Sequence, residues 1–201
     1  MAKTRYWHFS KTNKLLRYRD GREIVPGQTI EVTGEPVLCE HGLHACKNIL
    51  DACNDAPGLY IWAVELGGKV IHGNDKSVAQ KRKALWGYDA TEVLREFSRI
   101  VALEAVRKYW DAKKFGEFPE VVIKYLETGD ESLRSAARSA AWSAARSAAW
   151  SAAGSAAGSA AGSAAWSAAW SAAWSAAWSA NNKLLTKMIL AAKPKARRGK
   201  K

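Results

Sequence analysis

Residue types capable of chemistry are concentrated in one octapeptide, Cys39-Glu40-His41-Gly42-Leu43-His44-Ala45-Cys46, with Cys53 seven residues further on. Thiolates and imidazoles at short spacing suit a structural zinc site, which needs four soft or borderline donors in a tetrahedron. Cys39, His41, His44 and Cys46 are the metal candidates. Their spacing matches none of the common paired-knuckle forms. Buried free cysteines pack as small hydrophobes, which accounts for Cys46 and Cys53 without a metal. A thiol nucleophile would need a base and an orienting partner beside it. His44 is close in sequence, but nothing in the spacing fixes that geometry. The expectation is therefore no metal and no cofactor.

These residues must be positioned by the first two thirds of the chain. Tyr6–Phe9, Thr29–Val32 and Pro36–Cys39 read as short strands separated by Gly27, Gly34 and Gly42, and Lys47–Cys53 as a short helix. The apolar run Leu59–Leu66, closed by Gly67-Gly68, is the strongest strand, and Val70–His72 continues or pairs with it. Asp89 caps a helix over about 90–111, with Val93, Leu94, Phe97, Ile100, Val101 and Val106 on one face. Pro119 opens another helix, Gly129 ends it, and Asp130 caps the alanine-rich repeat helix beyond. The polar loop His72-Gly73-Asn74-Asp75-Lys76 reads as a turn. Lys76, Lys81, Arg82 and Lys83 beside Trp86 and Tyr88 read as a solvated helix face covering an aromatic edge. Their other reading is a basic patch with stacking aromatics for single-stranded nucleic acid.

Several of these stretches carry a resemblance. Gly42–Cys46, Leu50-Asp51-Ala52, Val64-Glu65-Leu66, His72–Lys76 and Tyr125–Arg134 together resemble a family of uncharacterised proteins found in bacteria and bacteriophages. Many members carry alanine-rich four-residue repeats after a similar head, and the family brings no activity with it. The order of elements is also similar, more distantly, to ADP-ribosyltransferase-like folds. In those, a first His holds the nicotinamide ribose and a late Glu polarises the acceptor. That analogy would make His8 the ribose contact and put His44 where a stacking Tyr stands. Glu65 lies too early for the late Glu, and Glu96 and Glu104 sit on the expected helix.

From Arg134 to Ser179 the chain repeats the unit x-Ser-Ala-Ala, with x running Arg134, Arg138, Trp142, Arg146, Trp150, Gly154, Gly158, Gly162, Trp166, Trp170, Trp174 and Trp178. Alanine is the best helix former, so the segment reads as α-helix. A four-residue step overshoots one turn by about 40°, so the x positions wind slowly around the helix. The repeat contains no carboxylate, histidine or cysteine and cannot be catalytic. It holds six of the ten tryptophans, and Gly154, Gly158 and Gly162 form a small-residue strip suited to close helix contact. Trp142, Trp150, Trp166, Trp170, Trp174 and Trp178 with the three glycines form the expected interaction surface. A near-neutral spacer produced by repeat expansion is the competing reading.

The charge is split along the chain. Residues 1–133 carry 20 Lys+Arg against 19 Asp+Glu, whereas residues 134–201 carry 11 Lys+Arg and no acid. Six of these, Lys193, Lys195, Arg197, Arg198, Lys200 and Lys201, form a basic tail suited to nonspecific polyanion contact. Residues 147–182 are uncharged, but Ser, Ala and Gly make them too polar for insertion, so no membrane span is expected. Met1–Lys14 lacks an apolar core of signal-peptide length, and three cysteines, an odd number, suit a reducing compartment. The expected location is the cytoplasm of a bacterial or phage-infected cell.

The fold expected is an α+β N-terminal domain over 1–128, then an all-α alanine-rich tetrapeptide-repeat helical rod over 129–192, straight or bent into a hairpin, then a disordered basic tail over 193–201. The function expected is that of a non-enzymatic binding or scaffold protein. Its partners would be a second copy or a helical protein, with nonspecific nucleic acid at the tail. The alternatives are an ADP-ribosyltransferase-like NAD-using enzyme in the head and a phage-encoded inhibitor that sequesters a host component.

Overall fold

The computed structural model describes residues 5–16, 20–156 and 163–194, and the side-chain surroundings of these except at 114 and 147–176. Contacts divide the chain into two compact units, Met1–Val93 with Asn182–Lys201, and Leu94–Asn181. The second unit is therefore an insertion within the sequence of the first.

The first unit is built on a five-stranded antiparallel sheet: β1 (Tyr6–Ser10), β2 (Thr29–Glu31), β3 (Leu43–Ala45), β4 (Tyr60–His72) and β5 (Ser77–Asp89). A short helix, α1 (Ile49–Asn54), lies between β3 and β4. The long hairpin β4–β5 is the spine. Along its length β4 pairs with β1, and β5 pairs with both β2 and β3. Beyond β3, Cys46 exchanges two backbone hydrogen bonds with Trp7 of β1, at 2.8 and 2.9 Å. That bridge closes β1, β4, β5 and β3 into a circuit, which removes most of the open edge that a flat sheet would present.

Side chains directly opposite on paired strands share a face. Tyr6, His8 and Ser10 stand opposite Val64, Trp62 and Tyr60, and form one face; Trp7 and Phe9 stand opposite Ala63 and Ile61 on the other. The first face builds a core of Tyr6, Trp62, Val64 and Ala84 with Ile24, Ile30, Leu43 and Ala45. Trp62 is fully buried, and its Nε1 donates to Ser10 Oγ at 2.9 Å. The indole lies directly over Gly87, where a Cβ would meet Trp62 Cε3 at 2.4 Å. Glycine is required there by the space the indole occupies.

On the other face, register places Trp86 and Tyr88 of β5 beside Ala63 and Ile61. Onto this unit packs the end of the last helix, α6 (Ser163–Ala192), whose Leu185 and Ile189 are both fully buried. Tyr88 donates its hydroxyl to the Ile189 carbonyl at 2.8 Å, and Asn182 Oδ1 accepts from the Leu50 backbone N–H at 3.2 Å.

The second unit runs through α2 (Thr91–Tyr109), from Leu94 onward, then α3 (Ala112–Phe115), α4 (Glu120–Thr128), a 3-10 turn (Glu131–Leu133), α5 (Arg134–Ala156) and the first part of α6. Trp110 packs against Phe115 and Phe118 and donates to the Gly116 carbonyl at 2.8 Å. Val122 of α4 and Ala137 of α5 are buried. Asp130 accepts from the Ser132 backbone N–H at 2.9 Å, and Gly129 takes the left-handed conformation at φ 69 that ends α4. None of α2 is fully buried, although its apolar spacing predicts one buried face.

The expected fold class is overturned. The head, expected as an α+β domain over 1–128, is built on a five-stranded antiparallel sheet, and no single rod is described. The repeat is carried on two helices, α5 and α6, with residues 157–162 between them outside the described residues. The last eleven helical residues group with the head. Of the expected disordered tail over 193–201, Lys193 and Pro194 are described, and residues 195–201 lie outside the described residues. Two local expectations are also corrected. Lys81, Arg82, Lys83, Trp86 and Tyr88, expected on a helix face, lie on β5, because β4 on one side and β2 and β3 on the other supply its backbone partners. Pro36–Cys39 is a tight turn bridged by Val37 and His41. No helix among the described residues is long and apolar enough to cross a membrane.

Replacing Leu185 with Ala should cost the protein about 2–5 kcal/mol, the usual range for a buried leucine. The neighbouring Leu190→Ala, at a site 39% exposed, should stay within about 0.5 kcal/mol. Chemical denaturation followed by tryptophan emission measures both.

Candidate functional site

Two places in the first unit gather polar or aromatic groups in a non-routine way. The first is the seam where β3 meets β1. Because Trp7 and Cys46 exchange both backbone bonds, the residue two back, His44, turns its carbonyl toward the same edge. Among the described residues β1 and β3 pair only at Trp7–Cys46, and the His44 carbonyl accepts instead from Arg82 Nη1 at 2.7 Å. Arg82 is 3% exposed, and its Nη2 has no partner among the described residues. Burial pulls its pKa down to about 10, with the Asp20 carboxylate acting weakly the other way. It stays cationic at neutral pH and serves as the donor that β1 fails to provide.

The octapeptide is arranged around this seam. His44 Nε2 accepts from the backbone N–H of Cys39 at 3.0 Å, a role open only to the neutral imidazole. Burial lowers its pKa and keeps it neutral. Cys39 takes a left-handed backbone at φ 67 to present that N–H. His41 Nε2 is bonded to the Thr33 carbonyl at 2.6 Å. Among the described residues no three His, Cys, Asp or Glu come together as a metal site would require. The imidazoles of His41 and His44 are bonded to backbone groups, and the backbone of Cys46 to that of Trp7.

The candidate pair His8 and His44 is not brought together. His8 shares its face with Trp62, whereas His44 lies between core residues Leu43 and Ala45 and so points to the opposite face. Cys46 and Cys53 have thiols pushed up to about 12 and about 11, in both cases chiefly by burial, and hold their protons at neutral pH. A groove of about 350 Å³ runs beside β2, lined by Arg22, Glu23, Val25, Thr29 and Ile30 among others. Its arginine is already committed, to Asp20 at 2.7 Å and to the Glu31 carbonyl at 2.8 Å.

The second place is the aromatic face under the end of α6. Trp7 meets Trp86 edge-on at 6.0 Å, and Trp86 stacks with Tyr88 at 6.1 Å. Two cations address the Trp86 ring: Arg5 with Cζ at 5.9 Å and Lys193 with Nζ at 5.0 Å from its centroid. The ring's negative face attracts each of them. Asn182 at one end of the docked segment bonds Leu50 and Asn48, and Lys193 closes the other end. Lys76, Lys81 and Arg82, in the alternative reading part of a nucleic-acid patch, are each engaged elsewhere. Arg82 is buried, Lys76 pairs with Asp55 at 2.9 Å, and Lys81 pairs with Glu31 at 3.0 Å.

Of the expected interaction surface, Trp142 is 68% exposed on α5, with Arg146 Cζ 6.0 Å from its ring centroid, and Trp178 is partly buried. Gly158 and Gly162 lie outside the described residues. So do the surroundings of Trp150, Gly154, Trp166, Trp170 and Trp174, and the tail cations Lys195, Arg197, Arg198, Lys200 and Lys201. The sequence does not show the buried role of Arg82, nor Leu185 and Ile189. A signal for the last two exists: after Ala180 the tetrad pattern stops, and Leu184, Leu185, Met188 and Ile189 recur at the spacing of one helix face.

A small closed β-circuit that takes a helix from the far end of its own chain is the class of domain these observations define. Residues 11–96 match a family described as a domain of unknown function (DUF7666). The match takes in β2 to β5 with α1 and ends at the start of α2, leaving out β1 and the docked end of α6. Comparison with curated proteins found no match, and comparison with solved structures found none.

Exposed Cys39 should react with a thiol reagent within minutes at neutral pH, while Cys46 and Cys53 react only on unfolding, giving one fast thiol of three. The raised thiols also fix a pH dependence. Between about pH 9 and 12 the unfolded chain has lost protons that the native Cys46 and Cys53 keep, so stability falls as pH rises through that window. Denaturation midpoints across it should drop, and less steeply in a Cys46→Ala, Cys53→Ala protein.

Proposed function

We propose that this protein is a non-enzymatic binding protein that self-associates through the tryptophan positions of its repeat and touches polyanions through its basic tail. What carries the reading is Trp142, whose indole stands 68% exposed on a helix built mostly of Ala and Ser. An exposed indole forgoes roughly 1.5–3 kcal/mol of burial, a driving force for covering it with another surface. Neighbouring Ala and Ser side chains are small enough for a second helix to approach closely. Arg146 beside the ring adds a planar cation of the kind enriched with Trp at interface hot spots. In the head, His41 and His44 are bonded to backbone groups and the Cys46 and Cys53 thiols keep their protons at neutral pH, which favours binding over catalysis.

Sedimentation equilibrium of the full chain should show concentration-dependent association. Trp142→Ala should weaken it by about 2 kcal/mol or more, roughly thirtyfold in dissociation constant. A protein that stays monomeric at all concentrations would overturn the self-association.

A further inference from the structure

We propose that the turn over residues 36–41 is an acid-sensitive latch, held shut by the hydrogen bond from the Cys39 backbone to the neutral His44 ring and released when that ring takes up a proton.

Two imidazoles close this turn, and they respond oppositely to a proton. His41 Nε2 faces the Thr33 carbonyl at 2.6 Å, an acceptor that needs a donor, so a protonated ring serves it as well as a neutral one. His44 Nε2 faces the Cys39 N–H at 3.0 Å, a donor that needs a lone pair. Protonation there replaces the lone pair with a second N–H, and two donors confront each other across the contact. Geometry alone makes His44 the proton-excluding member of the pair.

The bond to His44 also holds an unfavourable backbone. Cys39, at φ 67, is one of two described non-glycine residues with a left-handed conformation. For a residue with a side chain, that region costs about as much as one ordinary hydrogen bond contributes. Without its acceptor, Cys39 relaxes to a negative φ. The ends of the turn stay anchored. Pro36 is fully buried against Gly42, and Val37 and His41 exchange backbone bonds at 2.7 and 3.0 Å. Release is therefore confined to residues 38–40, and it lifts Leu38 from Gly73, where a Cβ would meet Leu38 Cδ1 at 3.2 Å.

The surroundings set the direction. Burial disfavours charge on the His44 ring, and the cations Lys76, from the β4–β5 turn, and Arg82, from β5, disfavour it further. The Gly42 carbonyl and Asp55, just beyond α1, act the other way, and Asp55 is paired with Lys76 at 2.9 Å. In the open turn the ring returns toward the ordinary histidine value of 6.5. A ring less basic in the closed turn than in the open one makes protons favour opening as pH falls below that value. The opening constant rises by up to about tenfold per pH unit until the closed ring itself titrates.

The test is amide-resolved NMR of the full-length protein from about pH 7.5 down to about pH 5, the range in which histidines titrate. Signals of residues 38–40 and of Gly73 should move together, at the midpoint of the His44 ring, and the Cys39 N–H should lose its protection from exchange. His44→Gln carries no titrating group, so its turn, whether closed or open, should show no change with pH across that range. A His44 ring that titrates while the Cys39 amide stays protected overturns the latch. So does a response of residues 38–40 that persists in His44→Gln, which would assign it to another group. A ring that stays neutral until the whole protein unfolds, followed by tryptophan emission, overturns it as well.

Discussion

Burial of Leu185 and Ile189 is the constraint on which the first unit depends. The closed circuit of β1, β4, β5 and β3 packs its core on one face and leaves Trp7, Trp86 and Tyr88 on the other. Such a face is too apolar to stand in water, and α1 is only six residues long. The end of α6 covers part of it, at Trp86 and Tyr88, while α1 packs against β1. The polar contacts at its margins, Asn182 to Leu50, Tyr88 to Ile189 and Lys193 to Trp86, fix the register in which the two apolar side chains enter.

The seam at His44 shows a second economy. A sheet closing on itself must end its pairing somewhere, and the carbonyl left over at that point would be costly if buried without a donor. Arg82 meets that need from across the circuit. The cost is an arginine held in the core with one nitrogen unpartnered among the described residues. The residues most suggestive of catalysis, His44 and Cys46, are thereby recruited to architecture: one accepts the Cys39 N–H, the other bridges to Trp7.

Legibility in the sequence followed how local each determinant was. Leu59–Leu66 announces a strand through its own apolar run, and Gly129 and Asp130 announce a helix end and a cap through chemistry within three residues. β5 was not legible because Lys81, Arg82 and Lys83 look solvated until β2 and β3 are brought alongside. Arg82 illustrates the same limit: its role depends on a carbonyl 38 residues away. The docking of Leu185 and Ile189 was hidden by the repeat before them, whose period drew the reading of helix composition past the point where the pattern changes. Within the candidate surface, Lys193 was visible as a charge, and its placement beside Arg5 was not.

The order of the chain gives this arrangement a temporal side. The head's aromatic face is completed by residues that emerge from the ribosome only after the 88 residues of Leu94–Asn181 have been made. At about 5–20 residues per second, that leaves Trp86 and Tyr88 without this cover for roughly 4 to 18 seconds of each round of translation. A nascent or prematurely released chain therefore displays a sticky indole cluster that the finished molecule conceals, and a stop anywhere in the tetrads yields a head that can never be closed.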